Sequence, residues 1–142
     1  MTQQDKDLLL RDLSARLPYG VICHIECEIT LDSKINAISV PPFNYPYKAD
    51  VHTGICGLSW EHIQLAKPYL RPLTSMTDEE REEYRKFSYY GAAGYRDNDF
   101  NEMVAVPSYE KIDWLNAHHF DYRGLIERGL AIRVTPNNNP YE

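Results

Sequence analysis

The sequence predicts an α+β fold: an N-terminal helix, a small antiparallel sheet and a helical C-terminal half. Leucines recur every three or four residues near the start, apolar residues then alternate with polar ones, and a helix-capping motif opens the second half. A chain of 142 residues, 43% of them hydrophobic, fits one domain with a sizeable core. We therefore predict a single domain over 1–142, strand-rich over about 1–70 and helical over about 71–142.

The first helix is predicted from about Gln4 to Leu17, because leucines recur there at spacings of three and four while charged residues fall elsewhere. Pro18 disfavours helical geometry at the residue before it and is expected to end the helix. The leucines expected to face inward are Leu9, Leu10, Leu13 and Leu17.

The clearest predicted strand runs from Val21 to Leu31, where every second residue is apolar. Residues 32–34 are predicted to form a tight turn and Ile35 to Val40 a second strand, which gives an antiparallel hairpin. The proline- and aromatic-rich residues 41–47 are expected to be extended and irregular. Val51 to Trp60 is predicted as a third strand that two glycines weaken.

Around residues 67–76 the composition changes, and a short helix at best is expected over 61–70. Thr77 and Glu80 have the spacing of a capping box, so a helix is predicted from there to about Phe87.

Ser108 is expected to cap a helix that reaches about His118, and Asp121 to open another that ends at Gly129. Residues 130–134 alternate as a final short strand, and the polar tail over 136–140 is expected to fray.

Composition excludes several function classes. The formal net charge of −6 argues against a broad electrostatic grip on nucleic acid or anionic lipid. No apolar run reaches the roughly 18 residues that span a bilayer, and the N-terminus has no secretory signal, so we expect a cytoplasmic protein without a membrane partner. Three cysteines without scaffold spacing are expected to be reduced and buried.

Motifs for catalysis are weak. Cys23 and Cys27 share the core face of the predicted strand, and Cys56 adds no ligand pair, so we predict no metal site and no cofactor. His52 and Cys56 would lie roughly 13 Å apart on an extended chain, too far for proton transfer. No nucleophile elbow, phosphate-binding loop or dinucleotide fingerprint is present.

The main polar cluster is His118, His119 and Asp121. Adjacent helical residues point about 100° apart, so the two imidazoles do not readily share one metal ion. The favoured interpretation is architectural: one histidine contacts the last carbonyls of its helix and Asp121 caps the next. A ligand-binding or catalytic role is the alternative.

Residues 88–107 lack a sustained period and are predicted to form a long loop. The loop combines aromatic rings and a cation that could stack on a ligand or pin the loop to the core. These residues are Tyr89, Tyr90, Tyr95 and Arg96.

The helices predicted over 108–129 could also form a helix-turn-helix that reads DNA. The second of them carries Arg123 and Arg128 balanced by Asp121 and Glu127, which disfavours that function.

Three segments carry a resemblance: 13–21 (LSARLPYGV), 67–80 (KPYLRPLTSMTDEE) and 113–131 (DWLNAHHFDYRGLIERGLA). They are similar to segments of uncharacterised small proteins of gut anaerobic bacteria and their prophages or mobile elements. The resemblance implies a bacterial or phage origin and carries over no catalytic residue.

The leading functional hypothesis is a non-catalytic interaction or accessory protein with a protein partner, because aromatic residues are abundant, the charge is acidic and no catalytic constellation stands out. The rival is a small ligand-binding protein or enzyme that uses the 89–96 aromatics with His118 and His119. Nucleic-acid binding is the third hypothesis.

Overall fold

The computed structural model describes residues 1–26, 30–39, 50–52, 60–89, 95–97, 103–105 and 109–142. The α+β class is confirmed, because helices and a mixed sheet occur together. The helices are α1 (Gln3–Arg16), α2 (Asp78–Tyr89) and α3 (Tyr109–Ala117). The strands are β1 (Ile22–Ile25), β2 (Leu31–Lys34), β3 (Ala37–Ser39), β4 (Asp50–His52), β5 (Trp60–His62), β6 (Ala66–Pro72), β7 (Tyr95–Asp97), β8 (Met103–Ala105), β9 (Phe120–Asp121) and β10 (Ile132–Arg133).

The predicted N-terminal helix is present as α1, and a capping box between Thr2 and Asp5 starts it. Its buried face, however, carries charge. The fully buried positions are Leu9, Asp12, Leu13 and Arg16. Leu10 and Leu17 are only half-buried. The buried face of α1 therefore differs from the predicted leucine stripe, because it includes the ion pair between Asp12 and Arg16.

The main sheet is mixed, with the strand order β10-β6-β1-β2 and β9 also paired with β6. The pairs β1–β2 and β1–β6 are antiparallel, as predicted for this part of the chain. The pairs β6–β9 and β6–β10 are parallel, so the small antiparallel sheet is enlarged by the C-terminal segment.

The predicted hairpin has a different register. Residues 32–34 are not a turn but the body of β2, in which Asp32 lies opposite His24 and Ser33 opposite Cys23. The chain therefore reverses between Ile25 and Leu31, which lie opposite each other. Apolar residues alternate without interruption from Val21 to Leu31, so the sequence pattern does not mark this reversal.

In the segment 61–70, where a short helix at best is expected, a 3-10 turn at Ile63–Leu65 is followed by the central strand β6. Its buried residues alternate as Ala66, Pro68 and Leu70, and Tyr69 is also largely buried. Prolines normally exclude a central strand, because they cannot donate a ladder hydrogen bond. Here Pro68 lies opposite Cys23, while the parallel partners begin further along the strand.

Two smaller sheets complete the described strands. The strands β3, β4 and β5 pair antiparallel, and the predicted second strand contributes β3. The two ends of the predicted third strand lie in β4 and β5, and its residues 53–59 lie outside the described part. The predicted loop over 88–107 is shorter than expected, because α2 extends to Tyr89 and β7 pairs with β8.

The helix predicted from Asp121 to Gly129 is wrong. Gly124 adopts a left-handed conformation with φ of 77°, which interrupts any helix through this point. A single turn follows and ends at Gly129, also left-handed, where the amides of Gly129 and Leu130 bond the carbonyls of Ile126 and Leu125. The predicted Gly129 cap is thus present without its helix, and the helix-turn-helix is absent.

The predicted frayed tail is also wrong. Asn138 accepts hydrogen bonds from the Thr135 amide and hydroxyl and donates to the Arg133 carbonyl. Tyr141 then returns to the sheet, where its hydroxyl bonds two strands. In the part of the chain described, no helix has the length and apolar character needed to cross a membrane.

We predict that removing one partner of the Asp12–Arg16 ion pair destabilises the protein, whereas replacing both partners by apolar residues costs much less. Asp12→Leu leaves the buried Arg16 guanidinium without its carboxylate and should lower the free energy of unfolding by about 3–5 kcal/mol. The double variant Asp12→Leu/Arg16→Met should lose much less than the sum of the losses in Asp12→Leu and Arg16→Met. Urea titration of these three variants measures the free energies.

The control is Arg128→Ala, which removes an exposed ion pair with Asp5 and should change stability by about 1 kcal/mol at most. A fully additive double variant would contradict the predicted coupling.

Candidate functional site

The predicted site residues that the structure describes lie on several different elements. His118, His119 and Asp121 lie between the end of α3 and β9. Tyr89 is the last residue of α2, and Tyr95 and Arg96 lie on β7, where only the backbone is described. Tyr90 lies outside the described residues. The proposed cavity shared by these aromatics and the histidines therefore stays a prediction.

Trp114 is the centre of the aromatic cluster between α2 and α3. Its ring contacts Tyr84, Phe87, His118 and Phe120, at centroid distances of 5.8, 6.4, 4.1 and 5.7 Å. Its indole N–H donates to Glu83 Oε2 at 2.9 Å. Trp114 therefore joins α2 to α3.

His118 is occupied by this cluster. Its ring stacks on Trp114, and its Nδ1 lies 2.9 Å from the Trp114 carbonyl oxygen. A carbonyl oxygen only accepts, so Nδ1 carries the proton and donates. The expected contact between one histidine and a carbonyl of the last helical turn is therefore present.

Asp121 has the expected capping role in a different setting. Its buried carboxylate accepts from the amide of Leu125 at 3.0 Å and from the amide of Ile126 at 2.9 Å. Both oxygens are used, so the side chain organises the turn that follows instead of a helix. This geometry leaves Asp121 acting as a structural acceptor.

His119 has a different neighbour from His118. Its φ of 62° is left-handed, and its ring lies flat on Tyr141 with centroids 3.6 Å apart. Burial, with Arg16, His118 and Arg71 nearby, lowers the pKa of His119 to about 4. The two imidazoles thus contact separate aromatic partners and do not point at one ligand.

Arg71 connects this segment to α2. Its guanidinium forms a bidentate pair with Glu80, at 2.8 and 2.7 Å, and lies 4.2 Å from the centroid of Phe120. Glu80 also closes the predicted capping box with Thr77. The Arg71 hydrogen bonds lower the pKa of Glu80 to about 2, despite partial burial.

Metal binding has no support in the described residues, among which no group of three or more His, Cys, Asp or Glu could hold an ion. Cys23 is fully buried with a pKa raised by desolvation, as expected for a core thiol. Cys27, His52 and Cys56 either lie outside the described residues or have no described side chain.

A polar cluster that the sequence analysis missed lies across three strands of the main sheet. His24 Nδ1 on β1 lies 2.7 Å from Asp32 Oδ1 on β2, and the Tyr69 hydroxyl on β6 donates to the same oxygen at 3.0 Å. Burial and this hydrogen bond raise the pKa of Tyr69. The His24 side chain is 27% exposed and that of Asp32 48%.

The sequence predicts that His24 and Asp32 lie side by side only if the hairpin register is known. Placing Asp32 in a turn removed it from the face of His24, whereas the true register puts the two directly opposite each other. The short helix expected over 61–70 likewise gives no reason to place Tyr69 beside His24 and Asp32.

Comparisons with known proteins identify no family. No family model matches the chain, and no solved structure matches it significantly. Hexamerin-1.1 of Anopheles gambiae is 35% identical over 46 residues, which are 32% of this chain. The match covers 7% of the hexamerin.

We predict that Asp121 contributes to stability. Asp121→Ala removes the acceptor of two amides and should lower the free energy of unfolding by about 2–4 kcal/mol. Asp121→Asn keeps one acceptor oxygen and should lose less. Denaturant unfolding is the measurement.

Glu127→Gln in the same segment is the control and should stay within about 0.5 kcal/mol of the native chain, because Glu127 is exposed. Catalytic residues are commonly held at a cost to stability. A gain in stability for Asp121→Ala would therefore indicate a functional role and contradict the structural one.

Proposed function

We propose that the chain is a non-catalytic interaction protein that binds another protein at the groove between α2 and α3. The observation that carries the proposal is the occupation of His118 and Asp121 by structural contacts. The residues that looked most reactive in the sequence have roles in folding. Binding is then the function that an aromatic groove with polar edges supports best.

The groove has a volume of 740 Å³ and combines apolar and charged walls. Phe87 and Trp114 supply aromatic surface of the type enriched at interaction hot spots. Its remaining lining residues are Glu83, Lys86 and Glu110.

Charge favours a basic partner. The helix α2 carries five acidic and three basic residues within its sequence DEEREEYRKFSY. The whole chain has a formal net charge of −6. We propose a partner segment with apolar side chains for the aromatic floor and net positive charge for the acidic surroundings.

The resemblance of residues 67–80 and 113–131 to bacterial and prophage proteins supports a cytoplasmic accessory role in a bacterium or phage. The chain's acidity and the absence of the predicted reading helix weigh against nucleic-acid binding.

We predict that a photo-crosslinking amino acid at position 86 captures one partner protein in cells of the source organism. The same group at position 81 is the matched control. Arg81 is also basic and exposed, but it lies about 140° away around α2. The adduct should form at 86 and not at 81.

A second variant tests whether the groove itself binds. Trp114→Ala would disturb the packing of α2 on α3, so Glu110→Lys is preferred, because Glu110 is exposed and lines the groove. Added positive charge in the groove repels a basic partner, so Glu110→Lys should weaken the captured complex at least tenfold, whereas Glu127→Lys, the same change at an exposed residue outside the groove, should leave it unchanged. Equal capture at both positions, or none, would contradict the proposal.

A second candidate function is a small enzyme, and the His24 cluster is the observation that favours it. Asp32 orients the His24 imidazole through Nδ1, so Nε2 is the nitrogen that would accept a proton from a substrate or water. Tyr69 holds the same carboxylate from the other side. This arrangement resembles the base and its orienting partner in nucleophilic and general-base catalysis.

We predict for this candidate that the protein accelerates hydrolysis of an activated ester, measured with p-nitrophenyl acetate. His24→Gln should reduce the rate at least tenfold, and Asp32→Asn should shift its pH profile. The control is His62→Gln, which changes another exposed histidine. Equal rates for all four proteins would eliminate the enzyme candidate.

A further inference from the structure

The C-terminal Tyr141 closes a gap between the two central strands. Its hydroxyl accepts from the amide of Ile22 at 3.2 Å and donates to the carbonyl of Tyr69 at 2.8 Å. In the β1–β6 register, Ile22 and Tyr69 come directly after the pair Cys23 and Pro68. The phenol therefore continues the ladder where the strands no longer bond each other directly.

The ring of Tyr141 is held from one side by His119. The two rings are nearly parallel, with an angle of 7° and a centroid distance of 3.6 Å. The backbone of His119 is fixed on both sides, because its amide donates to Asn116 and its carbonyl accepts from Arg71. The imidazole therefore has a fixed backbone, and the Tyr141 ring packs on its face.

The surroundings of His119 disfavour a positive charge. Arg16 from α1 and Arg71 from β6 both act on the imidazole, as does His118 in its own segment. The nearby carboxylates are committed elsewhere, because Asp12 pairs with Arg16 and Glu80 with Arg71. Tyr141 and Cys23 add no negative charge, because burial raises the pKa of both.

One further observation supports a neutral ring. His119 Nδ1 is buried and has no hydrogen-bond partner among the described residues. In the imidazolium both ring nitrogens carry a proton, so the cation would have a buried Nδ1–H donor without an acceptor, which is more costly than the lone pair of the neutral ring.

We propose that His119 and Tyr141 form an acid-sensitive latch: protonation of His119 releases Tyr141 and the tail over 135–142, and so uncovers the Ile22 amide and the Tyr69 carbonyl between β1 and β6. The uncovered groups are a backbone donor and acceptor at the end of a sheet. Such groups can pair with an added extended segment.

The direction of the pH effect follows from linkage. The pKa of His119 in the latched state is about 4, against an ordinary value of 6.5, and burial is the largest cause. Release of Tyr141 removes part of this burial but leaves Arg16, His118 and Arg71 in place, so the pKa in the released state lies above 4 and no higher than 6.5. The released state therefore binds more protons below about pH 6.5, and the latch weakens as pH falls. The ordinary pKa sets the upper limit, a change of about 300-fold in the latch equilibrium that is complete only below the latched pKa of about 4.

Hydrogen exchange at the Ile22 amide tests the latch, after correction for the intrinsic pH dependence of exchange. From pH 7 to pH 4 its protection in the native chain should fall by up to about 300-fold. The amides inside α1 should keep their protection and so report on global unfolding. In His119→Phe, which keeps a flat ring and cannot titrate, Ile22 protection should not depend on pH.

His62→Gln is the matched control and should behave as the native chain, because His62 is exposed and does not act on His119. Two results would overturn the proposal: the same pH dependence in His119→Phe, or parallel loss of protection in α1. If His119→Phe does not fold, the imidazole ¹⁵N shifts of the native chain decide. Titration of His119 near pH 4 is expected, and titration at its ordinary value would overturn the latch.

Discussion

The guanidinium of Arg16 is the interaction on which the rest of the described structure depends. It is fully buried, donates from Nε to Asp12 and from Nη2 to the Phe120 carbonyl, both at 2.7 Å, and lies 5.2 Å from the ring centroid of Tyr122. One side chain therefore ties the N-terminal helix to the segment that follows α3. A buried charge is costly unless it is paired, so this contact fixes where the segment after α3 must lie.

The position of that segment accounts for the roles of its polar residues. Once Phe120 is held by Arg16 and stacked under Arg71, His118 reaches Trp114, His119 reaches Tyr141 and Asp121 reaches the next turn. His118, His119 and Asp121 each have a structural partner. A contact between a carboxylate and a partly exposed imidazole lies instead on the sheet, between Asp32 and His24.

Local signals made part of this predictable from sequence, and long-range pairing made the rest unpredictable. The period of α1, the Thr77 capping box and the left-handed Gly129 are local, and each is present. The sequence does not predict the β6 strand, because its prolines argue against a central strand. The true hairpin register is not predicted either, because an alternating apolar pattern does not show where the chain turns. The burial of Asp12 and Arg16 is not predicted for a related reason, because a charged residue on a helix is expected to be exposed unless its partner is known. For the candidate site, the structural roles of His118 and Asp121 were predicted in outline, whereas the His24 cluster required the register.

Native-state hydrogen exchange of the amides of Arg71, Leu125 and Ile126 tests the central claim most directly. These amides bond the His119 carbonyl and the Asp121 carboxylate. If Arg16 integrates the segment after α3 into the core, all three should exchange only through global unfolding, with the same free energy as amides in α1. Rapid exchange of these amides by local opening, while α1 stays protected, would contradict the account.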